Sequence, residues 1–393
     1  MACLPCIKPF MDLVVFSHLR WDFVYQRPQH LISRFAREHR VWFLEEPILG
    51  DDSQAFLERS PREGQLEVCR PHLPHGLSEV ESWTLQRELL DELIAEEKIT
   101  NLVTWYYSPM AMNFSRHLAP LATVYDCMDE LSAFRGAPPG LRAAEAELFR
   151  RADLVFTGGH RLYEAKKRQH SNVFAFPSSI DALHFQQARR IKHDPEDQRE
   201  IPHPRLGFAG VIDERLDIQL LRAAAAMRPA WHFVMIGPVV KISQEDLPQA
   251  KNIHYLGAKD YKQLPFYMAG WDVGILPFAR NEATKFISPT KTPEYLAAGL
   301  PVVSTYIRDV ARPYGQKKLA KIVNTPEAFI AASERLLAHK HDAQRLREVD
   351  AFLAGNSWDI TWESMKQLLG KATLAKAGGM KDEEGISVNA SVS

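Results

Sequence analysis

Cysteine is scarce: Cys3, Cys6, Cys69 and Cys127 are the four in a chain of 393 residues, too few for a disulfide framework at this size. A reducing compartment is expected. Cys3 and Cys6 form a lone Cys-x-x-Cys, which no second pair or histidine cluster completes into a zinc site. A dominant charge is also missing. Lys plus Arg (48) and Asp plus Glu (49) nearly cancel, so no global field recruits nucleic acid or anionic lipid. Long apolar runs are absent, and the longest are strand-sized, so no transmembrane span is predicted. Met1–Phe10 holds one lysine and two prolines and is too short for a signal peptide, which makes a cytoplasmic protein the expectation. The densest basic candidates for peripheral contact with the inner face of a membrane are Arg142, Arg150, Arg151, Arg161, Lys166, Lys167 and Arg168; the alternative is a solvated helix face. No Gly-x-Gly-x-x-Gly follows a strand, which argues against a nicotinamide dehydrogenase.

What is present is the composition of a soluble globular protein, 46% hydrophobic and 25% charged, in a chain long enough for two cores. Short, continuous apolar runs alternate with amphipathic segments. Strands are predicted at Asp12–Ser17, Arg40–Leu44, Leu66–Arg70, Leu102–Tyr107, Thr123–Cys127, Asp153–Thr157 and Val173–Pro177. After a polar, proline-containing break at Gln187–Pro204 they resume at Arg205–Val211, His232–Ile236, Asn252–Leu256, Asp272–Leu276, Val302–Thr305 and Lys321–Asn324. Continuous runs indicate strands buried on both faces, hence mostly parallel sheets covered by helices. The expected organisation is an N-terminal α/β domain over 1–190, a linker over 191–204 and a C-terminal α/β domain over 205–355. A helix returning to the N-terminal domain over 356–371 and a disordered tail over 372–393 complete it. Two such halves predict a bilobed protein with a ligand cleft.

The most informative stretch is Pro277–Thr305, PFARNEATKFISPTKTPEYLAAGLPVVST. A buried strand is followed by a polar segment, then a helix for which Thr292 reads as N-cap and Pro293 as first residue. Gly299 ends that helix and Pro301 prevents its continuation. Such a helix start beyond a parallel strand presents free N–H groups to a ligand. Ser288, Thr290 and Lys291 supply the hydroxyls and cation a diphosphate needs. Glu294 suits a ribose diol, or else merely complements the helix dipole.

Lys-x-x-Glu-Tyr-Leu-Ala-Ala-Gly-x-Pro-Val-Val is similar to the donor-site signature of glycosyltransferase family 4, the group 1 retaining transferases of GT-B fold. The resemblance implies two Rossmann-like domains with mostly parallel sheets facing across a cleft, and assigns Glu294 to the nucleotide ribose. With Tyr295 it extends the donor set to Gly210, in Arg205–Ile212, and Gly237, which ends Trp231–Pro238. Ser17–Leu31 and Thr123–Phe134 resemble a bacterial subgroup that includes a teichuronic-acid-type transferase. The sequence departs from the pattern at Phe286, where many relatives carry the first glutamate of a Glu-x7-Glu pair. Arg215 and Lys291 are the nearest matches to the family's basic pair. The implied donor is a UDP- or GDP-linked sugar, a co-substrate rather than a cofactor, and the implied acceptor is a saccharide or lipid-linked molecule. No Asp-x-Asp of the metal-dependent kind follows a central strand, and Asp51-Asp52 reads as an exposed turn, so no metal is expected.

In the N-terminal half, His18, Arg20, Trp21, Gln26, Arg27, Gln29 and His30 follow the first strand. They suit a sugar-like acceptor, or else only fix their own loop. Pro28 read as first helical residue aims Arg27 at the acceptor. Asp126 and Asp129 end another strand and are candidates for orienting an acceptor hydroxyl or taking its proton; helix capping fits their spacing equally. The catalytic candidates are therefore Asp126, Asp129, Arg27 and His18, with His160 read as a surface or capping residue. Besides a transferase, a GT-B nucleotide-sugar epimerase and a catalytically silent GT-B scaffold share these features.

Overall fold

The computed structural model describes residues 10–339 and 342–389, with side chains as far as Lys376. Cys3 and Cys6 lie outside the described residues. The chain divides into two compact units. The first ends at Thr157, resumes over Tyr163–Ala175 and again from Thr361, while the second holds Gly158–Leu162 and Phe176–Ile360.

The first unit is built on a nine-stranded sheet: β1 (Asp12–Phe16), β2 (Arg40–Leu44), β3 (Ile48–Gly50), β4 (Phe56–Pro61), β5 (Leu66–Pro74), β6 (Leu102–Tyr106), β7 (Ala122–Cys127), β8 (Leu154–Thr157) and β9 (Val173–Ala175). Its order is β3-β5-β2-β1-β6-β7-β8-β9, with β4 pairing β5. All ladders are parallel except β4 with β5, which runs antiparallel in the register Phe56↔His72. All five residues of β1 are buried, as continuous apolar runs require in a sheet covered on both faces. The sheet was legible in sequence except for β3 and β4, which carry too few apolar residues to signal burial.

The second unit has six parallel strands: β10 (Arg205–Ala209), β11 (His232–Ile236), β12 (Ile253–Tyr255), β13 (Val273–Leu276), β14 (Val302–Thr305) and β15 (Ala320–Val323). Their order, β12-β11-β10-β13-β14-β15, reverses direction between β10 and β13. That reversal is the switch point at which open α/β sheets bind ligands.

Two expectations about organisation differ from what is observed. Residues 176–204 belong to the second unit rather than forming a boundary and a linker: Phe185, Ala188 and Ile201 are buried in its core. The polar residues there are used inside the fold. Gln198, fully buried, donates to the Tyr267 carbonyl (3.0 Å) and accepts from Trp271 Nε1 (2.9 Å), while Asp194 pairs with Arg205 at 2.7 Å. At the other end, the helix that begins at Trp358 extends to Asn389, through most of the span where composition predicts disorder. Ala, Lys, Leu and Glu are good helix formers and extend a helix already anchored upstream. Residues 390–393 lie outside the described residues.

The basic stretch does not form one free cationic surface. Lys166 is buried between Glu130 (2.9 Å) and Glu145 (2.8 Å), Lys167 pairs with Glu164 at 2.7 Å, and Arg151 pairs with Glu147 at 3.1 Å. Among the described residues no helix is long and apolar enough to cross a membrane.

Candidate functional site

The predicted donor residues all belong to the second unit, in the segments that follow β10, β11 and β13. Gly210 and Gly237 follow β10 and β11, and their backbones almost touch. The Gly210 amide donates to the Ile236 carbonyl at 2.8 Å, and a Cβ on Gly237 would lie 1.8 Å from the Gly210 oxygen. Gly237 has φ +144°, in the region that favours glycine. The chain leaving β13 is laced to the loop after β10. Asp217 N–H donates to the Pro277 carbonyl and Ala279 N–H to the Arg215 carbonyl, both at 2.7 Å. Thr305, ending β14, accepts from Phe278 N–H at 3.0 Å and donates to its carbonyl at 2.7 Å. Further along, the Ser288 carbonyl accepts from Ser178 Oγ at 2.6 Å.

The next helix spans Lys291–Ala297. It starts two residues before Pro293, so Thr292 is not its cap. Proline is tolerated throughout a first turn, where its missing N–H is not needed, and therefore does not mark the first residue uniquely. Thr290 takes the N-cap place without a side-chain bond. Thr292 is fully buried inside the first turn, and its hydroxyl has no hydrogen-bond partner. Glu294 is 4% exposed, and its Oε2 accepts from Lys291 Nζ at 2.6 Å. A carboxylate and an ammonium therefore share one largely dry position in the first turn of this helix. Gly299, with φ +91°, stops the helix as predicted.

Tyr295 and Arg215 sit differently from the donor roles assigned to them. Tyr295 is fully buried, its hydroxyl accepting from Ala209 N–H at 2.7 Å and its ring packed where a Cβ on Gly274 would stand. Burial pushes its phenol pKa up. It ties the helix to β10 from beneath. Arg215 directs its guanidinium at Asp213, two residues away, with contacts of 2.7–3.0 Å.

In the first unit, two of the four catalytic candidates bind each other. Arg27 opens the helix Arg27–Phe35, with Pro28 second rather than first. Its Nη2 and Nε reach Asp126 at 2.8 and 3.0 Å, and the side chains are 4% and 0% exposed. Burial pushes the Asp126 carboxyl up while Arg27 pulls it down. The pair clamps the helix to the end of β7, which makes it a poor site for proton transfer with a diffusing acceptor. His18 and Asp129 are partly exposed in the loops after β1 and β7. The rest of the polar stretch after β1 chiefly organises itself. Arg20 donates to Glu45 and to the Glu46 carbonyl, Trp21 N–H donates to Glu45, Gln26 N–H to Gln29 Oε1, and Gln29 Nε2 to the Trp21 carbonyl.

Sequence reasoning overlooked Asp309, buried beyond β14. Its carboxylate accepts from the backbone N–H groups of His160 (2.7 Å) and Arg161 (3.1 Å), and burial pushes its pKa up. The only sequence signal was an acidic residue shortly after a predicted strand. His160 contributes its backbone there and keeps its side chain exposed.

Residues 203–339 match the model of a family described as glycosyl transferases group 1. The chain is 28% identical over 277 residues to a putative teichuronic acid biosynthesis glycosyltransferase of Bacillus subtilis, covering 65% of this chain and 68% of that one. In structure it resembles a sucrose-phosphate synthase from Thermosynechococcus elongatus, with TM-score 0.72 and 16% identity over 93% of this chain and 100% of that one. A trehalose-6-phosphate protein from E. coli bound with UDP-2-fluoro glucose gives TM-score 0.68 and 13% identity, over 92% and 99%. At such identities the structural likeness establishes the fold, which is GT-B.

Proposed function

We propose that this glycosyltransferase of the group 1, GT-B type transfers a sugar from a nucleoside diphosphate to a saccharide or lipid-linked acceptor. In this reading it does so with retention, without a metal ion, and on the cytoplasmic side, in the making of a cell-surface polysaccharide or glycoconjugate. The observation that carries the reading is the Lys291–Glu294 pair, 2.6 Å apart and largely buried at the start of the helix that links β13 to β14. A nucleoside diphosphate presents two features that separate this pair. Its ribose diol offers two hydroxyl donors to Glu294. Its diphosphate offers an anion to Lys291, with the Ser288 and Thr290 hydroxyls beside it in sequence.

At the tips of β10 and β11 the backbones of Gly210 and Gly237 approach too closely for a side chain on Gly237. Departure of the nucleoside diphosphate builds negative charge on its phosphates, and a positioned ammonium offsets that charge in a dry site. Lys291 is the cation we assign to this role; Arg215, like Lys291, is held by a carboxylate in the free protein. Tyr295 supports the helix from below. Binding of UDP-2-fluoro glucose by the E. coli neighbour favours a nucleotide-linked donor.

The test is calorimetry with UDP, GDP, ADP and dTDP on the wild type and on Glu294→Ala. One nucleotide is expected to bind, with a loss of about 1–3 kcal/mol in the variant. Equal binding by both proteins would return Glu294 to a helix-dipole role. No binding by the wild type at millimolar concentration would remove the donor assignment altogether.

A further inference from the structure

The first sheet has its own switch point, at β1, whose neighbours β2 and β6 lie on opposite sides. At the ends of those strands lies an open cavity of about 380 Å³, lined from the ends of β1 and β2, residues 45–49, the start of the helix Glu79–Glu96 and residues 108–114. Phe16, Leu44, Leu49, Trp83, Met110 and Phe114 supply its large apolar side chains, and Ser17, Glu45, Glu46, Ser82, Gln86 and Ser108 line it as well. None of the six apolar residues was singled out by the sequence.

Several of the polar groups in that wall are already engaged by the protein. The Glu45 carboxylate, with no exposed surface, accepts from Trp21 N–H (2.7 Å), Arg20 (3.1 Å) and Arg70 (2.8 Å). Ser17 Oγ accepts from Leu19 N–H at 3.0 Å and donates to its carbonyl at 3.1 Å. Gln86 Nε2 donates to the Ser82 carbonyl and hydroxyl at 3.2 and 3.1 Å. A sugar ring entering here would exchange its water shell for apolar side chains and satisfied polar groups. A hydrocarbon group would leave those engaged groups paired as they are. The volume suits one small ligand group and lies towards the lower end for binding pockets.

We infer that this cavity receives the hydrocarbon portion of an amphipathic acceptor, so that the acceptor is a glycolipid-like molecule and not a free saccharide. The inference rests on the transferase reading above and narrows its acceptor. Wild-type protein is titrated calorimetrically with n-alkyl β-glucosides from methyl to nonyl, below their micellar concentrations, and with free glucose. Affinity should climb about fourfold per added methylene, as burial of one CH₂ dictates, and level off once the cavity is full. Free glucose should not bind at the same concentrations.

Leu49 is 53% exposed, so Leu49→Asp should leave the fold intact while lowering octyl glucoside affinity at least tenfold. Ser82→Trp, which fills the space, should flatten the chain-length series. An affinity independent of chain length in the wild type, or a slope that both variants retain, overturns the inference. UDP, GDP, ADP and dTDP are titrated into the same samples. A nucleotide bound alongside a flat alkyl series sinks only the cavity assignment, whereas no nucleotide bound sinks the donor reading.

Discussion

Asp126→Asn separates a structural clamp from a proton acceptor. In the clamp, Arg27 places Nη2 and Nε 2.8 and 3.0 Å from one oxygen, with Nε 3.2 Å from the other, and both side chains are out of solvent. Removing one partner of a buried pair strands the other charge, which typically costs about 3–5 kcal/mol. Asparagine still accepts one hydrogen bond, so the lower end, about 3 kcal/mol, is expected. With a urea slope of about 2 kcal/mol/M, the first unit's midpoint should fall by about 1.5 M. Arg27→Met combined with Asp126→Leu replaces the pair by apolar groups and should restore most of that loss. The assay is urea denaturation followed by hydrogen exchange of β1 and β7 peptides, which reports the first unit separately from the second. The opposite pattern would refute the reasoning: an unmoved midpoint together with a 10²–10⁴-fold fall in sugar transfer, the signature of a lost general base.

Three further outcomes are expected. Gly237→Ala puts a methyl group 1.8 Å from the Gly210 oxygen at φ +144°, so the second unit should lose at least about 2 kcal/mol by denaturation. Tyr295→Phe removes the hydroxyl that accepts from Ala209 N–H; stability should fall by about 1 kcal/mol while calorimetric nucleotide affinity stays unchanged, and an affinity loss would restore Tyr295 to the donor set. His232 and His254 face each other at 3.0 Å and both are held below the ordinary histidine value. Burial is the main cause for each, with Arg205 and His203 acting on the first, and His232 and Arg205 on the second. Histidines depressed in the fold take up protons more readily when unfolded, so their contribution is present above about pH 6.5 and lost as pH falls through the folded values. Thermal midpoints from pH 7.5 to 5 should drop less steeply in His254→Gln than in the wild type.

The core strands were legible because burial on both faces leaves a continuous apolar run. Val302–Thr305 and His232–Ile236 have the predicted bounds. The helices Ile218–Met227 and Ala343–Leu353 carry an apolar stripe of helical period. β4 was illegible because Phe-Leu-Glu-Arg-Ser-Pro at a sheet edge has neither a run nor a clean alternation. The order of strand, polar segment, helix and Gly-x-Pro over Val273–Thr305 was readable because it is local. What the sequence could not disclose is which polar groups satisfy each other over distance. Arg27 meets Asp126 across 99 positions, and His160 meets Asp309 across 149. Three polar residues at a strand end look the same in sequence whether they await a substrate or bind each other. Arg215 is the converse case, since its partner was two residues away and still unassigned.

The interrupted first unit has a consequence for the order of synthesis. Its closing helix packs Trp362 against Phe35, ring centroids 6.3 Å apart, and ties Lys366 to Glu38 at 3.0 Å across 328 positions. A ribosome makes the sheet of that unit first and its last helix only after the whole second unit has emerged. The second unit, nearly contiguous from Phe176 to Ile360, is complete while its predecessor still lacks a piece. Most chains acquire their domains from the amino end; here the earlier-made domain waits for the later one. Until that helix is made, Phe35 lacks its contact with Trp362.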